Sequence, residues 1–149
     1  MKKALVLFLS ALLGVTLVGC ESTKHQEPES QTAAKKEAVM ESVKGMITYR
    51  ERIALPHDAV VTIALEDVSL MDAPAKVIAK QTFTTEGAQV PFDFELSYDA
   101  NEINEHHRYS VRASIVVDGK LRFITDTSNP VITDSAQTKE VNLMMVGVR

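Results

Sequence analysis

Residues 109–124, with the sequence YSVRASIVVDGKLRFI, decide the fold of this chain. Apolar side chains occupy every second position from Tyr109 to Val117, and a second strand-like run follows the dipeptide Asp118-Gly119. Alternation with a period of two indicates strands that bury one face. Because Asp-Gly between two such runs favours a two-residue hairpin turn, the stretch predicts a β-hairpin.

The same alternation recurs along most of the chain from residue 43 onward. The other runs are 43–53, 61–66, 89–96 and 141–148. Turn residues separate them at 55–58, 72–74, 86–87, 99–104 and 129–130. Seven to eight short strands in residues 43–149 predict an all-β domain, most simply an antiparallel β-sandwich, with a small β-barrel as the alternative. Pro91 predicts that its strand begins close by or lies at an edge of the sheet.

The first 20 residues have the layout of a secretory signal. Lys2 and Lys3 precede an apolar run of 16 residues, 4–19, whereas a membrane-spanning helix needs about 20. The run ends in Leu17-Val18-Gly19-Cys20, which resembles the lipobox of bacterial lipoproteins. That resemblance implies cleavage between Gly19 and Cys20, an S-diacylglycerol group on the Cys20 thiol and an N-acyl chain on its amino group. Residues 1–19 are therefore predicted to be a lipoprotein signal peptide.

Residues 20–42 are polar and predict a flexible linker behind the lipidated cysteine. The residue after the cysteine is Glu21 rather than Asp, the usual signal for retention in the inner membrane of enteric bacteria. We therefore expect an anchor on the periplasmic face of the outer membrane, with the periplasmic face of the inner membrane as the alternative.

Net charge and cysteine content exclude two kinds of interaction. Without residues 1–19 the chain carries 14 basic and 20 acidic residues, a net charge of −6. An acidic surface argues against binding nucleic acid. Since Cys20 is the single cysteine, no disulfide can form within the chain.

Five segments of the chain together resemble a known protein family. They are 48–56 (TYRERIALP), 60–69 (VVTIALEDVS), 89–96 (QVPFDFEL), 109–115 (YSVRASI) and 118–127 (DGKLRFITDT). Together they resemble the YbaY-type lipoproteins, which are grouped with the YscW lipoprotein chaperones, or pilotins, of type III secretion. The resemblance implies a β-sandwich, an outer-membrane lipid anchor and no enzymatic activity. For the pilotin branch it also implies binding of a secretin subunit, although no motif assigns that role to a residue of this chain.

Four residues are candidates for contacting a partner. Arg50 and Arg52 are predicted to share one strand face, and arginine is favoured at interfaces and for carboxylate recognition. Met144 and Met145 give the last strand apolar character on both faces, which could form a partner groove or an edge for strand addition. A solvated ion-paired face for the arginines, and two covered faces for the last strand, are the competing interpretations.

No catalytic or metal site is predicted. His106 and His107 are adjacent, so on a strand they would point to opposite faces and could not share one ion. The acidic pairs at 66–67 and 93–95 fit a soluble outer face better than a glycosidase cleft. We therefore expect no cofactor other than the covalent lipid.

The predicted function is that of a non-enzymatic, lipid-anchored lipoprotein that binds or chaperones another envelope protein. The alternative is a role in glycoprotein or polysaccharide metabolism. Sugar binding usually needs exposed aromatic rings, and Tyr98 is the tyrosine that the pattern leaves outside the predicted core, whereas Tyr49 and Tyr109 fall in buried registers.

Overall fold

Strands account for most of residues 37–149, the part of the chain that the computed structural model describes. Its strands are β1 (Met40–Tyr49), β2 (Val60–Asp67), β3 (Lys76–Thr84), β4 (Phe92–Asp99), β5 (Tyr109–Val117), β6 (Lys120–Ile124), β7 (Pro130–Val131) and β8 (Glu140–Gly147). One short 3₁₀ helix, Ala100–Glu102, follows β4. No helix among these residues is both long and apolar enough to cross a bilayer. The predicted signal peptide, Gly19, Cys20 and most of the predicted linker lie outside the described residues.

Seven strands form one sheet in the order β3-β2-β5-β6-β8-β1-β4, and β7 pairs with β5. Neighbouring strands are antiparallel except β1 and β8, which run parallel with Lys44 opposite Glu140 and Tyr49 opposite Met145. The alternation of side chains specifies strands and buried faces but not the direction of a neighbour, so this parallel pair could not be read from it.

The sheet curls until its two outermost strands, β3 and β4, come together. The Glu95 backbone N–H donates to the side-chain Oε1 of Gln81 at 3.2 Å, and the rings of Phe83 and Phe92 meet edge to face at 5.6 Å. The all-β prediction is confirmed, and because the sheet is mixed and nearly closed, the small-barrel alternative describes it as well as a sandwich does.

Strand β4 shows how the sequence pattern builds the core. Its burial alternates strictly, with Phe92, Phe94, Leu96 and Tyr98 buried and the residues between them outside. Pro91 immediately precedes this strand, and β4 ends the sheet, as predicted. Other strands add to the same core the side chains of Val43, Ile47, Val61, Ile63, Leu65, Val111, Ile115, Phe123, Leu143 and Met145.

The hairpin predicted from residues 109–124 also has the expected geometry. Strands β5 and β6 flank Asp118 and Gly119, whose φ angles are 50° and 72°. Positive φ at both central residues is what a type I′ turn requires, and glycine adopts it without steric cost.

Strand β1 defines the two ends of the curled sheet, which we name the Met40 end and the Tyr49 end. The β2–β3 and β4–β5 connections lie at the Met40 end, because β2 and β4 run antiparallel to the strands beside them. The β1–β2 and β5–β6 connections and the last residue of β8 lie at the Tyr49 end. Strand β1 begins three residues before the predicted boundary at 43, since Met40 to Ser42 pair with β4.

Candidate functional site

An open groove of about 560 Å³ lies at the Tyr49 end, between the β1–β2 connection, the β5–β6 hairpin and the end of the chain after β8. We call it the basic groove. Its apolar lining consists of Ile53, Ala54, Leu55, Pro56, Val117, Leu121, Phe123 and Val148. Its polar lining consists of Asp118, Lys120, Arg122 and Arg149.

Stacked rings support the base of this groove. Tyr49 at the end of β1 and Phe123 on β6 stack with their ring centroids 4.2 Å apart and their planes at 9°. The Tyr49 hydroxyl donates to the backbone oxygen of Ile53 at 2.7 Å, which ties down the connection that forms one wall. Burial, followed by the negative charge of Glu51, raises the pKa of the Tyr49 hydroxyl, so it remains a donor at neutral pH.

The opposite wall is held by backbone contacts. The Val148 N–H donates to the Arg122 carbonyl oxygen at 2.9 Å, which extends the β6–β8 pairing past the end of β8. The Gly147 N–H donates to Oε1 of Glu51 at 3.0 Å and joins this wall to the first one. Hydrogen bonds therefore hold both walls of the groove.

Apolar side chains in the groove are unusually exposed. Ile53 is 45% exposed, Leu121 41% and Val148 38%. The outward face of β8 continues this surface through Met144 and Val146, which are also exposed and alternate with buried Leu143 and Met145. Met144, Val146 and the groove residue Val148 thus follow one another at every second position, and we call these three residues the apolar strip.

Positive charge collects around this strip. Lys120, Arg122 and Arg149 line the groove, while Arg50 and Arg52 are exposed in the segment just before Ile53. Throughout residues 37–149, the ion pairs within 4 Å involve Lys44, His107, Arg112 and Lys139 and none of these five cations.

The residues that the sequence singled out for partner binding fall partly on this surface. Arg50 and Arg52 lie beside the groove, but β1 ends at Tyr49, so they occupy an irregular segment rather than one strand face. Met144 is 41% exposed on the strip, whereas Met145 is 1% exposed and packs in the core. Since successive residues of a strand point to opposite faces, one methionine of the pair is accessible and the other is covered.

Tyr98 is not the exposed ring that the sequence left open. It is 3% exposed, and its hydroxyl donates to Oε2 of Glu41 at 2.9 Å. Burial first, and the hydrogen bond to Glu41 second, raise the pKa of Tyr98. All three tyrosines of the chain are buried, and among the phenylalanines of residues 37–149 only Phe83 is partly exposed.

A cluster at the Met40 end contains serine, histidine and aspartate, the residue types of a catalytic triad. Nδ1 of His107 lies 2.6 Å from Oδ2 of Asp67, and the Ser69 hydroxyl donates to Oδ1 of Asp67 at 2.6 Å. A nucleophilic serine must instead contact the histidine. Here both side chains bind the carboxylate, so the cluster ties the β2–β3 and β4–β5 connections together.

The Asp67 carboxylate is strongly stabilised in its charged form. Desolvation raises its pKa, but the hydrogen bonds from Ser69 and His107 outweigh that effect and lower the pKa to about 2. Sequence analysis missed this contact because 40 residues separate the partners. The β2–β5 register, with Asp67 opposite Tyr109, brings them together.

Two of the other acidic residues weighed in the sequence, Glu95 and Glu66, form ion pairs. Glu95 lies 3.1 Å from Lys44, whose hydrogen bond is the main cause of its lowered pKa. Glu66 lies 3.9 Å from Arg112 on the neighbouring strand. Within residues 37–149, no group of three or more histidine, cysteine, aspartate or glutamate side chains is arranged to hold a metal ion.

Comparison with known proteins finds relatives of this chain. The chain is 43% identical over 105 residues to the Escherichia coli (strain K12) protein named "Uncharacterized lipoprotein YbaY". The match covers 70% of this chain and 55% of that protein, so the aligned part spans about half of the relative.

A solved structure gives a further match, an alternative pilotin from the type II secretion system of Vibrio cholerae. It superimposes with a TM-score of 0.72 at 60% sequence identity and covers 74% of this chain and 99% of that one. The family model for type III secretion system lipoprotein chaperones, YscW, matches residues 38–144, which include all the strands except the last residues of β8. The chain therefore belongs to the YscW family of secretion-system lipoprotein chaperones.

Proposed function

We propose that this protein is a lipid-anchored, non-enzymatic lipoprotein of the periplasm that binds and chaperones another envelope protein in the manner of a pilotin. The observation that carries the proposal is the basic groove with its apolar strip. Exposed, contiguous apolar surface rimmed by polar groups is typical of a protein-binding site. The match to a type II secretion pilotin supports a partner within a secretion system, such as a secretin subunit.

The proposed anchor is Cys20, carrying an S-diacylglycerol group and an N-acyl chain. Each buried CH₂ contributes about 0.8 kcal/mol, and more than one acyl chain is needed for stable attachment. The residues between Cys20 and β1 would act as a tether of roughly 25 Å root-mean-square length. A tether of this kind raises the effective concentration of the domain near partners in the same membrane. Glu21 favours the periplasmic face of the outer membrane.

The contacts of the Ser69–Asp67–His107 cluster and the lining of the groove support a non-enzymatic role. The Ser69 and His107 side chains both hydrogen-bond to the Asp67 carboxylate. The basic groove presents cations and aliphatic side chains rather than an acid–base pair. Such a surface suits contact with a protein segment.

The anchor is tested by replacing Cys20 with Ala in the full chain and following radiolabelled palmitate and membrane fractionation. We expect loss of label and release of the protein from membranes. A Cys20→Ala protein that is still labelled would contradict the proposed anchor, and retention in the inner-membrane fraction by the wild type would contradict the proposed membrane.

The binding role is tested by site-specific photocrosslinking in the living cell. A photoreactive residue at exposed Met144 should trap an envelope protein, while the same residue at Lys80, exposed on β3 away from the groove, serves as the control. Adducts with glycan alone, from either position, would contradict the proposal and favour the polysaccharide role.

A further inference from the structure

Charge in the described part of the chain is distributed unevenly. Residues 37–149 contain 11 lysines and arginines against 17 aspartates and glutamates. Three of those cations, Lys120, Arg122 and Arg149, line the basic groove, and two more, Arg50 and Arg52, are exposed just before its lining residue Ile53. The lining of the groove therefore carries three cations and one carboxylate, that of Asp118, and the field on this face favours an anionic ligand.

Local carboxylates do not neutralise this face. Glu51 is engaged with the Gly147 N–H, and Asp118 is placed in the hairpin turn with a positive φ. Neither forms an ion pair within 4 Å of a cation in the described range. The guanidinium and ammonium groups are thus available to carboxylates from outside the molecule, and arginine binds carboxylates in a bidentate geometry.

The aliphatic side chains that line the groove set a second requirement for its ligand. Ile53, Leu121 and Val148 are each more than a third exposed and line the same groove as Lys120, Arg122 and Arg149. A simple anion such as phosphate would leave these side chains in water. The ligand that satisfies both features carries carboxylates and apolar side chains together, which describes a segment of polypeptide.

The position of the groove separates it from the attachment of the linker. Met40, where β1 begins, and the groove lie at opposite ends of the curled sheet. A strand of ten residues spans about 33 Å. A partner seated in the groove would therefore leave the start of β1 accessible.

We propose that the basic groove binds an acidic, apolar-containing segment of the partner protein, with carboxylates paired to Lys120, Arg122 and the neighbouring arginines and apolar side chains packed on Leu121, Ile53 and Val148. This inference rests on the proposed function, because it names the chemistry of the segment that the lipoprotein recognises. The carboxylates set orientation and the aliphatic contacts hold the segment once docked.

The test uses the full chain in its own membrane, with a photoreactive residue at Leu121. Adducts are digested and the attached segment is sequenced by mass spectrometry. We expect a segment with more acidic than basic residues and at least two large apolar side chains. A basic or neutral segment, a lipid or glycan adduct, or no adduct at Leu121 would overturn the inference.

A pair of charge reversals provides the matched comparison. Lys120→Glu combined with Arg122→Glu should lower the yield of this adduct at least about tenfold, since attraction becomes repulsion at two positions. Lys76→Glu combined with Lys80→Glu makes the same change in net charge on β3 and should leave the yield within about twofold. Equal losses in both double variants would show a general charge effect and contradict the groove.

The outcomes also separate this inference from the proposed function. If Met144 traps an envelope protein while Leu121 does not, the groove assignment fails and the pilotin-like role stands. If neither position traps a protein, the proposed function fails with it. Unfolding midpoints of the double variants, measured beforehand, ensure that losses reflect binding rather than folding.

Discussion

The rings of Tyr49 and Phe123 stack with centroids 4.2 Å apart, and Phe123 in turn lines the basic groove. This pair links β1 to β6 across the end of β8, so the core and the candidate binding surface share a side chain. Changes to the pair are therefore expected to affect stability and partner binding together.

Replacing Tyr49 with Phe removes the hydroxyl and keeps the ring. The ring stack remains, but the hydrogen bond to the Ile53 carbonyl is lost, which should cost about 0.5–1.5 kcal/mol of unfolding free energy in urea. Because this bond fixes one wall of the groove, crosslinking from Leu121 should also weaken. Tyr49→Ala, which removes the stack as well, should cost about 3–5 kcal/mol. Equal stability of wild type and Tyr49→Phe would show that the hydroxyl does not hold the wall.

Tyr98→Phe tests the buried tyrosine at the other end of the sheet. Loss of its hydrogen bond to Glu41 should lower the unfolding free energy by about 1–2 kcal/mol, since bonds to charged groups are worth more than neutral ones. Lys139→Ala removes the second partner of the same carboxylate. That lysine is half exposed, so this change should cost less than about 1 kcal/mol. The reverse order of costs would contradict our account of Glu41.

Stability at low pH should depend on Asp67. Its pKa in the folded protein is about 2, below the ordinary value of 3.8, so the unfolded chain binds the proton more readily. The contribution is present above about pH 4 and is lost as the pH falls towards 2. In the Asp67→Asn variant, the loss of unfolding free energy between about pH 4 and pH 2 should be smaller than in the wild type by on the order of 1–2 kcal/mol. Asp72→Asn, at an exposed position in the next connection, is the control, and an identical slope in both variants would contradict this prediction.

Gly45→Ala should be the most damaging small substitution. A Cβ at this position would lie 1.7 Å from the backbone oxygen of Val141, so β1 and β8 would have to separate. We expect a loss of at least about 3 kcal/mol in unfolding free energy. At Gly147 the nearest atom to such a Cβ is Oε1 of the flexible Glu51 side chain, at 3.1 Å. Gly147→Ala should therefore cost less than about 1 kcal/mol, and comparable losses at the two glycines would refute the close approach.

Sequence predicted the strands whose two faces differ most in burial. The hairpin around Asp118 and strand β4 follow directly from alternation, because one face of each is covered by the core. Strand β3 gave no such signal, since it lies at the edge of the sheet and most of its residues are partly or fully exposed.

The candidate site was less accessible to prediction because contacts between distant parts of the chain create it. Arg50 and Met144 were chosen for their residue types, and their role in binding stays a prediction. The local sequence pattern does not indicate that Leu121, Val148 and Ile53 line one groove. The β6–β8 and β1–β8 pairings bring these three residues to the same end of the sheet. The sequence pattern left Tyr98 outside the core because the predicted run ended at residue 96, whereas β4 continues to Asp99 and Tyr98 takes the next inward position, opposite Glu41 of β1.

The parallel pairing of β1 with β8 has a consequence for how the domain reaches its final form. Strand β1 can join β4 once residue 99 is available, but its other edge has no partner until residues 140–147 arrive. Contacts between segments so far apart in sequence are slow to form, because a long loop must close before they contribute. The chain must therefore emerge almost completely before the sheet can close, and a truncation before β8 would leave an open, aggregation-prone edge.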